Sequence, residues 1–305
     1  MKIFFDTDHI INDKFCSEQV LMIPFLSNEF IQTNVNFEDV NDYKEIMSKD
    51  VQLTDLDSCD FILYPNKFDN SLYLKDYIEM AKDTDKLLVV FYNDDNESPA
   101  KELDVDYTIF RTSFDKGNRK GFEKALPAWS KDFKKYKDIP IRPKEQKPVI
   151  GFCGAITHQI RSMALDQFKH RDPQYITNFL IRNQFWGGNP DDPSLRMEFI
   201  DNTIDSDFVI CARGAGNFSY RLYETLSAGR IPIFIDSNTP VPFEDHLKLD
   251  QYFPVVKQDE ICNITDIVLN FWNRIDDYNI LQESLRSIYE NYFSPYGFTH
   301  QLNKL

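Results

Sequence analysis

The sequence has no hydrophobic run long enough to cross a lipid bilayer, which takes roughly 20 consecutive apolar residues. It also has little positive charge: 34 lysines and arginines face 49 aspartates and glutamates, and the formal net charge is −15. Because binding to nucleic acid or to an anionic membrane requires a basic surface, the sequence predicts neither partner. Asp6 and Asp8 follow the first few residues at once, so no secretory leader is expected.

Cysteine is scarce as well. The five cysteines lie far apart in the sequence, and none of their spacings is typical of a metal site. Their number is odd and most of them lie within apolar runs, so buried, reduced thiols are the expected state. Together with the missing leader, this pattern predicts a cytoplasmic protein without a resident metal ion.

The chain does contain enough apolar material for two domains. Hydrophobic residues make up 42% of the 305 residues, and aromatic residues make up 14%. A chain of this length exceeds what one hydrophobic core usually supports. Prolines and lysines are concentrated over residues 125–147, a composition typical of a connection between domains. We therefore expect an N-terminal domain over residues 1–140 and a C-terminal domain over residues 141–305.

Both halves alternate short apolar runs with longer helical segments, a pattern typical of α/β domains. In the first half we predict strands at residues 2–5, 61–64, 87–92 and 107–111. The helices of that half are predicted at residues 18–28, 43–49 and 72–82. In the second half we predict a strand and glycine turn at 149–154, a last strand at about 252–256, and helices at 264–274 and 281–293.

The most informative stretch of the chain runs from Asp207 to Glu244. An apolar run over residues 208–211 predicts a buried strand, and Ser219 can cap a helix over residues 220–228. A second apolar run over residues 231–235 predicts the next parallel strand of the sheet. The loop and the helix N-terminus then lie at the carboxyl end of the first strand, where open α/β sheets bind their ligands.

The residues of this loop suit an anion. A helix N-terminus presents free N–H groups and about half a positive charge, so phosphate binds there readily. Arg213 and Arg221 flank the helix start, and a planar guanidinium matches phosphate oxygens in pairs. Glu224 follows Arg221 by one helical turn and could accept hydrogen bonds from the two hydroxyls of a ribose. Alternatively, Arg221 and Glu224 form an ion pair on the helix surface.

These residues belong to a longer pattern that resembles the exostosin family of glycosyltransferases. The pattern comprises Arg213-Gly214, Ser219-Tyr220-Arg221-Leu222-Tyr223-Glu224, Gly229-Arg230-Ile231-Pro232 and Pro242-Phe243-Glu244. So many residue types at fixed spacings make the resemblance specific, and it lies mainly over residues 148–245. A weaker similarity extends to Phe15-Cys16-Ser17-Glu18 and to the segment from Ser58 to Pro65.

The resemblance implies two Rossmann-like α/β lobes facing a central cleft, the GT-B fold, with a nucleoside diphosphate-sugar donor on the C-terminal lobe. It implies phosphate contacts for Arg213, Ser219 and Arg221 and a ribose contact for Glu224. Arg161 is implied as a further phosphate ligand; alternatively, it only bridges a loop and a helix. The expected acceptor is a glycan, and no cofactor is expected. Animal exostosins are anchored in membranes of the secretory pathway, so a chain without a transmembrane segment departs from them.

Three residues are candidates for catalysis. A general base must lie within hydrogen-bond reach of the acceptor hydroxyl. Asp8, His9 and Asp94 each follow a predicted strand of the first half, although each could instead belong to a solvated turn. The arginines, in place of a metal ion, would stabilise the leaving diphosphate. The resemblance also implies inversion at the anomeric carbon. We therefore predict an inverting, metal-independent glycosyltransferase of polysaccharide biosynthesis.

Two other functions remain open. Asp6-Thr7-Asp8 follows a strand and resembles the nucleophile motif of haloacid-dehalogenase-type phosphotransferases, whose two carboxylates hold Mg²⁺. That function leaves residues 151–244 unexplained. The other alternative is an exostosin-like module that binds a sugar nucleotide or glycan without catalysis. A second acidic triplet, Asp205-Ser206-Asp207, precedes a strand, and there we expect Asp207 to cap or solubilise the strand's start.

Overall fold

The computed structural model describes residues 1–11, 20–27, 44–45, 47–68, 72–129, 132–168, 173–189 and 192–304. The chain packs as two compact units. Unit 1 comprises Met1–Trp129, Pro240–Pro242 and Asn291–Leu305, and unit 2 comprises Ser130–Thr239 and Phe243–Glu290. The sequence placed the boundary between residues 140 and 141. The observed division falls earlier, after Trp129, and assigns the C-terminal segment to unit 1.

Unit 1 contains a six-stranded sheet in which every pairing is parallel. Its strands, in the spatial order β2-β1-β3-β4-β5-β6, are β1 (Lys2–Phe4), β2 (Gln52–Leu53), β3 (Phe61–Leu63), β4 (Leu88–Tyr92), β5 (Tyr107–Arg111) and β6 (Glu123–Ala125). Nearly all residues of β4 are buried, as expected for a parallel strand that is covered on both faces. Helix α1 (Leu74–Thr84) buries Tyr77 and Ala81.

Unit 2 contains a five-stranded sheet that is also wholly parallel. Its strands, in the spatial order β11-β10-β9-β7-β8, are β7 (Val149–Ala155), β8 (Ile176–Arg182), β9 (Phe208–Cys211), β10 (Ile231–Asp236) and β11 (Val255–Lys257). Its helices are α2 (Gln159–Gln167), α3 (Pro193–Ile204), α4 (Tyr220–Ser227), α5 (Ile264–Asn273) and α6 (Tyr278–Ile288). The predicted fold class, two Rossmann-like α/β lobes, is confirmed in the architecture of each unit, which is built on a wholly parallel sheet.

Asp207 ties the starts of two neighbouring strands together. Its Oδ2 accepts a hydrogen bond from the backbone N–H of Val149 at 2.8 Å, and its Oδ1 accepts one from the hydroxyl of Tyr278 at 2.9 Å. Arg142 adds an ion pair through Nε at 3.0 Å. The carboxylate is fully buried. Asp207 therefore caps the start of β9, as expected from its position before the strand.

Several segments differ from the sequence prediction. Of the predicted helix at 18–28, residues 20–27 are described, and Val20–Phe25 form a 3₁₀ helix that contains Pro24. The helix predicted at 281–293 begins earlier because Asp277 caps α6 through the backbone N–H groups of Asn279 and Ile280. It continues after Ile288 as the π-helix Tyr289–Phe293. The motif at residues 15–18 lies outside the described residues. Of the helix predicted at 43–49, residues 44, 45 and 47 are helical, and residues 43 and 46 are not among those described.

The chain ends in a helix that packs into unit 1. Helix α7 (Pro295–Leu302) buries Phe298, whose ring lies 5.7 Å from that of Phe110 and 5.4 Å from that of Trp129. Trp129 also donates from Nε1 to the carbonyl of Phe293 at 2.9 Å. None of the helices described here combines the length and the apolar character that crossing a bilayer requires.

Candidate functional site

Ser219 begins helix α4 without capping it. Its backbone is extended, as is usual at the residue before a helix, but its Oγ makes no hydrogen bond to the described residues although it is buried. A buried hydroxyl without a partner costs roughly 1–3 kcal/mol. The first N–H groups of any helix also lack partners within the helix. The start of α4 therefore presents several polar groups that a ligand could satisfy.

Arg221 lies in the first turn of α4 and reaches back to strand β7. Its Nη2 and Nε donate to the carbonyl of Cys153 at 2.8 and 3.2 Å, and its guanidinium lies 4.6 Å from the ring centre of Phe152. A Cβ on Gly154 would lie 2.1 Å from Nη2, so only glycine leaves room for the guanidinium there. Burial lowers the pKa of Arg221, and the negative charge of Glu224 opposes that change.

Arg161 lies in the first turn of α2 and is 7% exposed. Its Nη1 donates to the carbonyl of Ala155 and to Oγ1 of Thr157, both at 2.9 Å. Its Nη2 donates to the carbonyl of Ala212 at 3.3 Å, and its buried Nε makes no hydrogen bond to the described residues. Burial, followed by the positive charge of Arg221, lowers the pKa of Arg161.

Arg161 and Arg221 thus lie near one another, and neither forms an ion pair with a described residue. Two like charges in a partly buried site repel each other, which costs free energy unless an opposite charge binds. Both arginines lie beyond the carboxyl ends of β7 and β9, which pair directly in the sheet. This arrangement favours the binding of an anion.

The loop between β9 and α4 packs against the guanidinium of Arg161. A Cβ on Gly214 would lie 3.0 Å from Nη2 of Arg161, so the backbone of the loop lies close against that guanidinium. Arg213 is half-buried and donates from Nη2 to the carbonyl of Ala215 at 3.1 Å. The structure therefore brings four predicted donor-site residues to one edge of the sheet: Arg161, Arg213, Ser219 and Arg221.

Asn217 holds the same loop in place, a role that the sequence did not reveal. It is fully buried, and its Oδ1 accepts hydrogen bonds from the hydroxyls of Ser237 at 2.8 Å and Thr239 at 3.1 Å. Its Nδ2 donates to the carbonyls of Ser237 and Asn238 at 3.3 and 3.1 Å. Asn217 therefore joins the loop before α4 to the loop after β10. The only sequence signal was an amide among small residues.

Glu224 is buried rather than exposed. It is 3% exposed, and its Oε1 lies 3.0 Å from Nη1 of Arg196 on helix α3. The alternative in which Arg221 and Glu224 form an exposed pair on one helix is therefore wrong. Arg196 was missed in the sequence because it lies on another helix. Its guanidinium packs against the aromatic rings of Phe133, Tyr136 and Phe199.

Two candidate catalytic residues lie in unit 1 on a 3₁₀ turn, Thr7–His9, that follows β1. Asp6 caps this turn by accepting a hydrogen bond from the N–H of Asp8 at 2.9 Å, and the side chain of Asp8 is exposed. The His9 ring stacks on Tyr73 with 4.1 Å between ring centres. Its Nε2 lies 3.7 Å from Oδ2 of Asp6, and its Nδ1 makes no hydrogen bond to the described residues.

Asp94, the third candidate, follows β4 and is already paired. Its Oδ2 lies 2.8 Å from Nζ of Lys67, and its Oδ1 accepts a hydrogen bond from the N–H of Asn96 at 2.9 Å. Partial burial raises the pKa of Asp94, but the hydrogen bonds from Lys67 and from the N–H of Asn96, together with the charge of Lys67, outweigh burial and leave the pKa below its ordinary value. A carboxylate in this state accepts a proton poorly near neutral pH.

Comparison with known proteins identifies the family. The family model of the Exostosin GT47 domain matches residues 86–270, which is more than half of the chain. The protein therefore belongs to the exostosin family. The match covers every element around Arg161, Ser219, Arg221 and Glu224.

Individual relatives are distant. A probable glycosyltransferase of Arabidopsis thaliana is 24% identical over 144 residues, which are 47% of this chain and 27% of that protein. Among solved structures, HepE of Anabaena in complex with UDP and glucose has a TM-score of 0.44 at 12% identity and covers 100% of this chain and 98% of its own. WaaG, a glycosyltransferase of lipopolysaccharide biosynthesis, has a TM-score of 0.37 at 9% identity over 100% and 99% of the two chains.

Proposed function

We propose that the protein is a glycosyltransferase that moves a sugar from a nucleoside diphosphate-sugar donor to a hydroxyl of a glycan. One observation carries the proposal: Arg161 and Arg221, without an ion pair to the described residues, lie near one another beside the N-terminus of α4. A diphosphate supplies negative charge beside the two guanidinium groups and further oxygen atoms that can accept their hydrogen bonds. Membership of the exostosin family supports the same function.

Each donor-site residue has a role in this proposal. Arg161, Arg213 and Arg221 bind the diphosphate, and the hydroxyl of Ser219 donates to one of its oxygens. Glu224 accepts hydrogen bonds from the ribose hydroxyls. During transfer, the bond between the sugar and the diphosphate breaks, and negative charge develops on the leaving diphosphate. The arginines are fixed before the reaction, so they stabilise that charge without further rearrangement.

We propose that the reaction inverts the configuration at the anomeric carbon and needs no metal ion or other cofactor. Inversion requires one direct attack by the acceptor hydroxyl, whose proton passes to a general base. His9 is the best of the three candidates, because its imidazole is only half-buried and its buried Nδ1 makes no hydrogen bond to a described residue. Asp94 is occupied by Lys67, and Asp8 has an exposed carboxylate in a polar turn. Imidazole is also the commonest general base in enzymes.

Binding and transfer assays test this proposal together. The wild-type protein is titrated calorimetrically with inorganic pyrophosphate and with UDP, GDP, ADP and CDP. We expect binding of pyrophosphate and tighter binding of at least one nucleoside diphosphate.

The matching nucleotide sugars are then incubated with a panel of oligosaccharides, with and without a chelator. Transfer that survives the chelator supports a metal-independent glycosyltransferase, whereas binding without transfer or hydrolysis across the panel would favour an inert binding module. Phosphate release from a phosphomonoester that is abolished by the chelator and restored by Mg²⁺ would favour the phosphotransferase alternative.

A further inference from the structure

We infer that Arg196 is a positioning residue for Glu224 and thereby sets the selectivity of the site for a ribonucleoside diphosphate. This inference rests on the proposed function, since it concerns the ribose contact of the same site. It assigns a task to a residue that lies outside the family pattern and 28 positions before its partner. In this account Arg196 does not contact the donor; it acts through the carboxylate of Glu224.

The geometry fixes both partners. Nη1 of Arg196 lies 3.0 Å from Oε1 of Glu224, and the two side chains are 18% and 3% exposed. The guanidinium lies 5.4 Å from the ring centres of Phe133 and Phe199 and 5.7 Å from that of Tyr136. A guanidinium held among three rings has little freedom to move. The carboxylate that it binds is therefore restricted to one orientation, with one oxygen occupied by Arg196.

The electrostatics keep the pair charged. Burial lowers the pKa of Arg196, but the negative charge of Glu224 and the hydrogen bonds that Arg196 donates to Glu224 and Tyr136 outweigh burial, so the pKa lies above its ordinary value. A buried ion pair usually stabilises a fold no better than well-packed apolar side chains would. Stability alone therefore gives no reason to place this pair between α3 and α4. The need for a fixed, ionised carboxylate that accepts hydrogen bonds from hydroxyl groups does give a reason for the pair.

The two tasks of the site are separated between two side chains. Arg221 donates to the carbonyl of Cys153 and forms no ion pair with Glu224. Loss of Arg196 should therefore disturb the ribose contact and leave the diphosphate contacts intact. If the pair only braced α3 against α4, its loss would loosen the whole start of α4. Binding of every phosphate ligand would then weaken together.

The test measures ligand selectivity in Arg196→Gln, Arg196→Lys and the control Asp201→Asn. Asp201 lies on the same helix and forms an exposed ion pair with Lys137, at 2.6 Å. Each variant is titrated with inorganic pyrophosphate, with the member of the UDP, GDP, ADP and CDP panel that binds the wild type best, and with its 2′-deoxy counterpart. Circular dichroism first confirms that each variant is folded.

We expect Arg196→Gln to bind the ribonucleoside diphosphate about tenfold more weakly than the wild type, the cost of one charge-assisted contact. Its affinity for pyrophosphate should be unchanged, and its preference for the ribonucleotide over the 2′-deoxynucleotide should disappear. Arg196→Lys keeps the positive charge and should recover part of the preference. Asp201→Asn should match the wild type with all three ligands.

Three results would overturn the inference. Arg196→Gln could lower the affinity for all three ligands equally, or it could leave the preference for the ribonucleotide over the 2′-deoxynucleotide intact. If Arg196→Gln does not fold, Arg196→Lys decides, and an unchanged ribonucleotide preference in that variant would contradict the inference. A wild-type protein that binds pyrophosphate but no nucleoside diphosphate would overturn the proposed function itself. That failure is visible before any variant is measured.

Discussion

Glu224 pairs with Arg196 through Oε1 and Nη1 at 3.0 Å, while Arg221, one turn earlier on the same helix, donates to the carbonyl of Cys153 at 2.8 Å. Two charged residues at a spacing that usually makes a surface ion pair therefore contact different parts of unit 2. Arg221 is directed towards the end of β7, and Glu224 is directed towards α3. Separate partners make separate functions possible, so each residue gives its own prediction.

Replacing Arg221 by alanine should weaken the binding of any diphosphate, with or without a nucleoside attached. A charge-assisted hydrogen bond contributes roughly 1.5–3 kcal/mol, so Arg221→Ala should raise the dissociation constants of pyrophosphate and of the nucleoside diphosphate by about tenfold to a hundredfold. Arg274→Ala is the matched control, because Arg274 is an exposed arginine of unit 2 that packs on Phe271. Calorimetric titration measures both. Equal affinities in the wild type and Arg221→Ala would remove Arg221 from the site.

Replacing Glu224 by glutamine should affect binding and stability together. The variant should bind nucleoside diphosphate more weakly and pyrophosphate as tightly as the wild type, because only the ribose contact is lost. It should also lose roughly 1–3 kcal/mol of unfolding free energy, since Arg196 is left without its buried carboxylate. An exposed ion pair, such as the one removed by Asp201→Asn, contributes a few tenths of a kcal/mol at most positions. A loss that small in Glu224→Gln, measured by urea denaturation, would contradict the buried pairing.

Gly154 offers a way to displace Arg221 without removing it. The φ of Gly154 is +142°, and a Cβ at this position would lie 2.1 Å from Nη2 of Arg221. Gly154→Ala should therefore push the guanidinium away and weaken pyrophosphate binding by about tenfold or more, although every charge remains. Gly121→Ala is the control, since nothing lies within 4 Å of the added methyl group. If Gly154→Ala bound pyrophosphate as the wild type does, the position of Arg221 would have no bearing on the site.

Two of the candidate bases, His9 and Asp94, should differ in their effect on turnover. General base catalysis contributes roughly 100-fold to 10,000-fold, so His9→Ala should lower kcat by that factor while donor affinity stays constant. Asp94→Asn should lower kcat by less than about tenfold, because the ion pair with Lys67 and the lowered pKa make that carboxylate a poor proton acceptor. Steady-state kinetics with saturating donor separate the two. A larger loss in Asp94→Asn than in His9→Ala would reverse the assignment.

The elements around the site were predictable because their signals are local. Strand β9 has the predicted bounds, and α4 ends one residue earlier than predicted, at Ser227 with Ala228 as its C-cap. An uninterrupted apolar run and a serine before a helix are features of adjacent residues. Strand β8, which was missed, lies at the edge of its sheet, and none of its residues is fully buried. An edge strand of this kind lacks the apolar run that marks a buried one.

The contacts that position Glu224 and the loop before α4 could not be predicted from the spacing of residues in the sequence. Arg196 reaches Glu224 from another helix, and Asn217 reaches the loop after β10, so both contacts depend on how the helices pack against the sheet. The same limit applies to the C-terminal segment, because only packing shows that Asn291–Leu305 belongs with unit 1. The cytoplasmic location and the role in polysaccharide biosynthesis remain predictions from the sequence.

The central claim is that Arg161 and Arg221 together bind the diphosphate of a nucleotide sugar. Calorimetric titration of the wild type and the double variant Arg161→Ala/Arg221→Ala with a nucleoside diphosphate tests it most directly. The account predicts saturable one-to-one binding by the wild type and a dissociation constant raised by at least about a hundredfold in the double variant, since two charge-assisted contacts are lost. Binding of equal strength by both proteins, or no binding of any nucleoside diphosphate by the wild type, would contradict it.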